Sequence, residues 1–164
     1  MGSPEIGSPA PDFSTDGLRL AGGVAEKATY SLSGRPAGSG PLVLAFYPGD
    51  DTPTCTRQMC SYSSGLESFL DLGAEVWGIS PQGLASHEKF ARKHDLRLPL
   101  LADEDKAVSR AYGVLRLGGI HVARAVFVID AGGTVRWRHI STVGITYQDT
   151  AKLTSALRDL AATA

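Results

Sequence analysis

The chain has 164 residues, of which 43% are hydrophobic and 20% charged, and its net charge is −1. This balance is typical of one globular domain, here 1–164, and provides no positive field for nucleic acid or an anionic membrane surface. No signal peptide is predicted, and no apolar run reaches the ~20 residues that cross a bilayer. Two cysteines are too few for a disulfide scaffold, so we expect a cytoplasmic protein whose cysteines perform chemistry.

The predicted elements alternate between strands and helices after a Gly/Pro/Ser-rich lead-in. Small strands or a hairpin are expected within 12–33, where glycines interrupt the pattern. Further strands are predicted over 41–47, 74–80, 98–101, 124–129 and 134–140, and helices over 55–73, 84–94, 103–113 and 148–161. Residues 115–122 are expected to be irregular. This order favours an α/β sandwich, a central sheet with helices on its faces.

Cys55 stands at the start of the helix that follows strand 41–47. Apolar residues of this helix recur with a 3.6-residue period, at Cys55, Met59, Tyr62, Leu66, Phe69 and Leu70. Unpaired N–H groups and the macrodipole at a helix N-terminus favour an anion, and for a cysteine that anion is the nucleophilic thiolate. The alternative for Cys55 is a small buried apolar side chain, as many free cysteines are.

The pattern Pro48-x3-Thr52-x2-Cys55 matches the active-site signature of the peroxiredoxins. With Cys60 five positions later, the segment resembles their bacterioferritin-comigratory-protein, or PrxQ, subfamily. Further matching motifs lie at 7–13, 78–80, 100–105, 112–114 and 123–130. The resemblance implies a thioredoxin-like fold of the peroxiredoxin type, with a central mixed sheet flanked by helices and an N-terminal extension. It also implies a monomer that uses no metal and no organic cofactor.

In the chemistry that this resemblance implies, Cys55 reduces hydrogen peroxide or an organic hydroperoxide and becomes a sulfenate. Cys60 then attacks the sulfenate and forms an intramolecular disulfide, which thioredoxin or a similar dithiol reduces. The alternative for Cys60 is a passive buried thiol.

Ionisation alone cannot make Cys55 a fast peroxidase. An unperturbed cysteine has a pKa of ~8.5, so about a tenth is already thiolate near pH 7.5 and complete ionisation gains about tenfold. Fixed donors must also stabilise the charge that develops on the peroxide oxygens. Thr52 can donate its hydroxyl there or cap the helix, and both roles can coexist. Arg124 opens an apolar strand, where it either extends from a sheet edge or meets an anion, and the resemblance favours the active site.

Two further residues near Cys55 have both a functional and a structural interpretation. The ring of Pro48 would shield the thiolate from water, or it simply ends the strand. Gln58 resembles a supporting Glu or Gln of the family, but an exposed helical glutamine would look the same.

Three features depart from the family pattern. Thr54 stands where glycine is usual, and segment 113–124 is short. Segment 61–64 replaces an aromatic-Arg-Asp run, which puts a supporting ion pair in doubt.

Two other functions stay open at this point. A thioredoxin-like dithiol exchanger needs neither Thr52 nor Arg124 and normally has C-x-x-C spacing. A non-catalytic binding or chaperone module need not keep Pro48, Thr52, Cys55 and Arg124 together. The four histidines show no metal-ligand spacing with a cysteine, so no zinc site is expected.

Overall fold

The computed structural model describes residues 3–36, 38–50, 52–141 and 150–163. Its strands are β1 (Ser14–Ala21), β2 (Val24–Ser31), β3 (Leu42–Phe46), β4 (Glu75–Ser80), β5 (Leu100–Ala102), β6 (Leu115–Arg116), β7 (His121–Val122), β8 (Ala125–Ile129) and β9 (Val135–Ile140). Its helices are α1 (Pro53–Ser64), α2 (Leu66–Asp71), α3 (Leu84–His94), α4 (Ala107–Ala111) and α5 (Thr150–Thr163).

Seven of the strands form one mixed sheet in the order β2-β1-β5-β4-β3-β8-β9. The pairs β3–β4 and β4–β5 are parallel, whereas β1, β2, β8 and β9 join by antiparallel pairing. The parallel pairs follow from the helical crossovers between these strands, and the antiparallel edges from hairpins. This arrangement is the central mixed sheet flanked by helices that the sequence predicts.

Both faces of the sheet are covered by apolar side chains. In β3, Val43 and Ala45 belong to one buried cluster together with residues of α1, α2, α3 and α5. The side chains that alternate with these two, Leu42, Leu44 and Phe46, belong to a second cluster on the opposite face. A strand that is buried on both faces has a continuous apolar run, which is why 41–47 lacks polar alternation.

The single helix predicted over 55–73 is wrong, because the structure divides it at Gly65 into α1 and α2. The guanidinium of Arg97 donates to the carbonyl of Ser63 at 3.0 Å, which holds the last turn of α1 in place. A Cβ atom at Gly65 would collide with the methyl group of Thr150, so α5 approaches the chain at this position. Because α1 and α2 are separate helices, the apolar stripe of α1 does not continue along α2. Leu70, which the periodicity places on that stripe, is 55% exposed.

Two other segments differ from the sequence prediction. The helix expected to begin at Asp103 begins at Ala107, because Lys106 adopts a left-handed conformation with φ of 60°. The carboxylate of Asp103 nevertheless accepts the backbone N–H groups of Val108 and Ser109 at 3.1 and 2.8 Å. The segment expected to be irregular contains the short antiparallel pair β6–β7. The hairpin expected within 12–33 is confirmed as β1–β2.

The parallel strands β3 and β4 end at the same edge of the sheet, where β3 leads into α1 and β4 into α3. Ligand sites of open α/β sheets lie at this edge. Among the described residues, no helix combines the length and the apolarity that crossing a membrane requires.

Candidate active site

Cys55 lies in the first turn of α1, just beyond the end of β3. Pro53 is the first residue of the helix, where its missing N–H costs no hydrogen bond. Thr52 is the N-cap, and its side-chain oxygen accepts the N–H of Cys55 at 3.4 Å. Cys55 is fully buried. The helix cap predicted as one role of Thr52 is therefore present, and this bond does not use the proton of the threonine hydroxyl.

The guanidinium of Arg124 contacts the sulfur of Cys55. Arg124 precedes β8, the strand paired with β3, and only 4% of it is exposed. Its Nη1 donates to Cys55 Sγ at 3.2 Å and to Gln58 Oε1 at 2.6 Å. An arginine stays charged at any physiological pH, so a fixed cation lies against the sulfur in a buried setting. The sequence left two positions open for Arg124, at a sheet edge or beside an anion. The structure places it beside the sulfur of Cys55, a group that can form an anion.

Gln58 and Tyr62 hold the arginine from the side of α1. Gln58 is fully buried, and its Nε2 donates to the hydroxyl of Tyr62 at 3.2 Å. This bond orients the amide so that Oε1 faces Arg124. Gln58 is therefore not an exposed helical glutamine. The sequence analysis did not include Tyr62 in the site, although its position four residues after Gln58 on the buried stripe was an available signal.

Two further residues that the sequence predicts for the site, Pro48 and Cys60, lie before α1 and on α1. Pro48 is half-buried in the turn that follows β3. Cys60 is half-buried on α1 at the margin of the apolar cluster, and both cysteines are free thiols. Burial raises the pKa of the Cys60 thiol above its ordinary value, so less of it is thiolate at neutral pH.

The sequence departures have structural counterparts. In place of an ion pair after the second cysteine, Ser63 Oγ donates to the carbonyl of Asp95 and accepts the N–H of Arg97. Together with the Arg97 guanidinium bond to the Ser63 carbonyl, this fixes the C-terminal end of α1. The short segment 113–124 is held by Lys106, whose amine donates to two of its carbonyls.

A second polar cluster lies under the turn between β3 and α1. It contains Tyr47, Asp50, Ser86 and His87, joined by hydrogen bonds of 2.7–2.8 Å to the Asp50 carboxylate. No local sequence pattern indicates this cluster, because His87 is 37 positions from Asp50. Within the described ranges, no group of three or more His, Cys, Asp or Glu residues has the geometry to hold a metal ion.

Comparison with known proteins identifies the family of the chain. The model of the AhpC/TSA family matches residues 6–138. A chloroplastic peroxiredoxin Q of Oryza sativa subsp. japonica is 39% identical over 132 residues, covering 80% of this chain and 57% of the relative. A chloroplastic peroxiredoxin Q of Arabidopsis thaliana is 44% identical over 95 residues, covering 57% of this chain and 44% of the relative. The chain thus spans 57% or less of the length of these relatives.

Solved structures with low sequence identity share the fold. The reduced 2-Cys peroxiredoxin of Plasmodium vivax superposes with a TM-score of 0.87 at 20% identity, covering 96% of this chain and 82% of that one. AhpC of Mycobacterium bovis gives 0.87 at 22% identity, covering 100% of this chain and 96% of that one. These matches confirm the thioredoxin-like fold of the peroxiredoxin type.

The cytoplasmic location expected from the sequence is contradicted by the comparison. The matched plant relatives are named chloroplastic. The expectation rested on a small number of cysteines, which indicates a reducing compartment but does not distinguish the cytosol from a plastid. The resemblance stated on the motif around Cys55 is confirmed: the chain belongs to the AhpC/TSA family, and its curated relatives are peroxiredoxins of the Q type.

Proposed function

We propose that this chain is a thiol-dependent peroxidase that reduces hydrogen peroxide and organic hydroperoxides through Cys55. The observation that carries the proposal is the 3.2 Å contact between the Arg124 guanidinium and the sulfur of Cys55 at a buried helix start. A cation in this place favours the thiolate, and it can also bind a peroxide oxygen as charge develops there. A dithiol exchanger or a binding module has no need of that contact, so both alternatives are less well supported.

In the first step, the Cys55 thiolate attacks one peroxide oxygen and the O–O bond breaks. The sulfur is oxidised to a sulfenic acid, and the other oxygen leaves with the bonding electrons and takes up a proton to become water or an alcohol. Thr52 and Arg124 are the proposed donors to the reacting oxygens, and Pro48 the proposed shield against water. Gln58 and Tyr62 keep the arginine directed at the sulfur.

In the second step, the Cys60 thiolate attacks the sulfenic sulfur, the S–O bond breaks, and hydroxide leaves and is protonated to water. The product is an intramolecular disulfide, which thioredoxin or a similar dithiol reduces by thiol–disulfide exchange. We further propose that residues 1–164 act as one domain and as a monomer. This cycle needs no metal or organic cofactor.

Counting thiols after one equivalent of peroxide tests the function. Reduced wild-type protein should lose both thiols rapidly, because each sulfenic acid is resolved by Cys60. Cys60→Ser should show one fast turnover, and its sulfenic acid should then gain further oxygens under excess peroxide, visible as a mass increase. Cys55→Ser provides the baseline without a nucleophile. Slow loss of thiols in the wild type would contradict the peroxidase, and sustained turnover of Cys60→Ser with thioredoxin would contradict the resolving role.

The rate of disulfide formation should depend on pH in a direction set by Cys60. Because burial raises the pKa of this thiol, its thiolate fraction should grow about tenfold for each pH unit below that pKa. The resolving rate should therefore rise with pH between about pH 6 and pH 8. Rapid acid quenching followed by mass spectrometry would separate sulfenic acid from disulfide at each pH. A rate that does not change over this range would show that thiolate attack does not limit the step.

A further inference from the structure

The buried polar cluster under the turn between β3 and α1 is centred on the carboxylate of Asp50. This carboxylate accepts the Tyr47 hydroxyl at 2.7 Å and the Ser86 hydroxyl at 2.7 Å, and His87 Nδ1 lies 2.8 Å from it. The side chain of His87 is fully buried and that of Asp50 is 3% exposed. Tyr47 directly follows β3, and Ser86 and His87 belong to α3. The cluster therefore joins the turn to the neighbouring helix.

The hydrogen-bond partners of His87 connect α3 to β5 and to Asp50. Nε2 lies 2.8 Å from the carbonyl oxygen of Leu101, which can only accept, so Nε2 carries a proton. Nδ1 faces a carboxylate that already accepts two hydroxyl groups. Burial, and next the charge of Asp50, raise the pKa of Tyr47 well above its usual value, so Tyr47 stays a donor. His87 is accordingly held between Leu101 of β5 and Asp50.

Asp50 is held through its backbone as well as through its side chain. Its backbone N–H donates to the side-chain oxygen of Gln82, which follows β4. Pro48 and Thr52 are each only two residues away from Asp50, at most about 7 Å of extended chain. A shift of the Asp50 carboxylate would therefore move both the proposed shield and the proposed donor of the peroxide site.

We propose that His87 and Asp50 are positioning residues of the peroxide step: the buried hydrogen bond between them fixes Asp50, and with it the placement of Pro48 and Thr52 relative to Cys55. This inference rests on the proposed peroxidase function. Neither side chain is assigned a contact with peroxide. Their effect is on the placement of the donors, and a displacement of about 1 Å in such a site can cost on the order of a hundredfold in rate.

Two substitutions at His87 separate positioning from general packing. The amide nitrogen of asparagine is two bonds from Cβ, as is Nδ1 of histidine, so His87→Asn retains the donor to Asp50. The amide nitrogen of glutamine is three bonds from Cβ, as is Nε2, so His87→Gln retains only the donor to Leu101. Glutamine is also the better helix former, so a purely structural role would favour His87→Gln.

The readout is the second-order rate constant for peroxide, measured by stopped flow on the reduced full chain. We expect His87→Gln to be slower than wild type by about tenfold or more and His87→Asn to stay within about threefold. The fraction of Cys55 present as thiolate, from its ultraviolet absorbance at fixed pH, should be unchanged in both. Glu88→Gln on the same helix removes only a surface ion pair with Arg92 and is the matched control.

Equal rates for the two His87 variants would overturn the inference, as would a thiolate fraction that falls together with the rate. If neither variant folds, Tyr47→Phe and Ser86→Ala decide, since each removes one hydroxyl bond to Asp50 and leaves the His87–Asp50 hydrogen bond in place. Each should slow the peroxide step several-fold, and wild-type rates in both would overturn the inference. A wild-type protein that fails to react with peroxide would instead contradict the proposed function.

Discussion

Arg124→Ala is expected to slow the reaction of the reduced chain with peroxide by more than about a hundredfold, the loss typical of removing one donor to a developing oxyanion. Reduced ionisation of the sulfur cannot account for a loss of that size. An unperturbed cysteine is about one-tenth thiolate near pH 7.5, so losing all stabilisation of the thiolate costs only about tenfold. The remainder would measure stabilisation of the transition state by Arg124, whose Nη1 lies 3.2 Å from the sulfur.

Two further variants make the result specific. Arg57→Ala removes an exposed arginine from the same helix, one that donates to Thr54 Oγ1 and not to the sulfur, and it should react at the wild-type rate. Arg124→Lys keeps the charge but replaces the planar guanidinium by an ammonium of different shape and hydration, so it should fall between alanine and wild type. Stopped-flow rates with hydrogen peroxide are the measurement. A rate for Arg124→Ala within a few-fold of wild type would contradict the assignment of Arg124 to the site.

The local part of the site was predictable from the sequence because its causes are local. An apolar run ends in a Pro/Gly/Asp turn, and Thr52 and Pro53 then provide a cap and a first helical residue. Cys55 follows from these signals within a few residues. Arg124 is 69 positions away, and only the family resemblance connected it with Cys55 before the structure was known.

The parts that sequence analysis missed depend on tertiary contacts. The division of the helix at Gly65 involves Arg97 and Thr150, which lie on other elements and leave no trace in the helical periodicity. His87 was one of four histidines without a pattern, and its role emerges only where α3 meets the turn at Asp50. Polar residues that meet through the fold, far apart along the chain, escape analysis by spacing.

The position of both cysteines within α1 has a mechanical consequence. Five residues in one α-helix separate Cys55 and Cys60 by ~7.5 Å along the axis and ~140° around it. Their Cα atoms are then roughly 8–9 Å apart, beyond the ~7 Å limit for a disulfide, with side chains that diverge. The burial agrees with this geometry, because Cys55 faces the core while Cys60 lies at its margin. Disulfide formation therefore requires α1 to unwind.

The ends of α1 determine how far that unwinding extends. On the C-terminal side, Arg97 binds the carbonyl of Ser63, and Thr150 Oγ1 donates to the carbonyl of Ser61 at 2.9 Å. On the N-terminal side, the cap at Thr52 is a single long bond of 3.4 Å. Threonine and serine residues of low helix propensity lie along α1, at Thr54, Thr56, Ser61, Ser63 and Ser64. These contacts favour unwinding from the N-terminal end while α2 keeps its structure.

Amide hydrogen exchange of residues 54–63 should therefore be much faster in the disulfide form than in the reduced form, by an order of magnitude or more at the amides that lose their helical bonds. Residues of α2 and α3 should exchange equally in the two forms and act as internal controls. Cys60→Ser treated with one equivalent of peroxide should keep the protection of the reduced wild type, because its oxidised Cys55 has no partner that requires unwinding. Equal protection of 54–63 in the reduced and disulfide forms of the wild type would contradict this mechanism and would require the two sulfurs to meet within an intact helix, which its geometry does not allow.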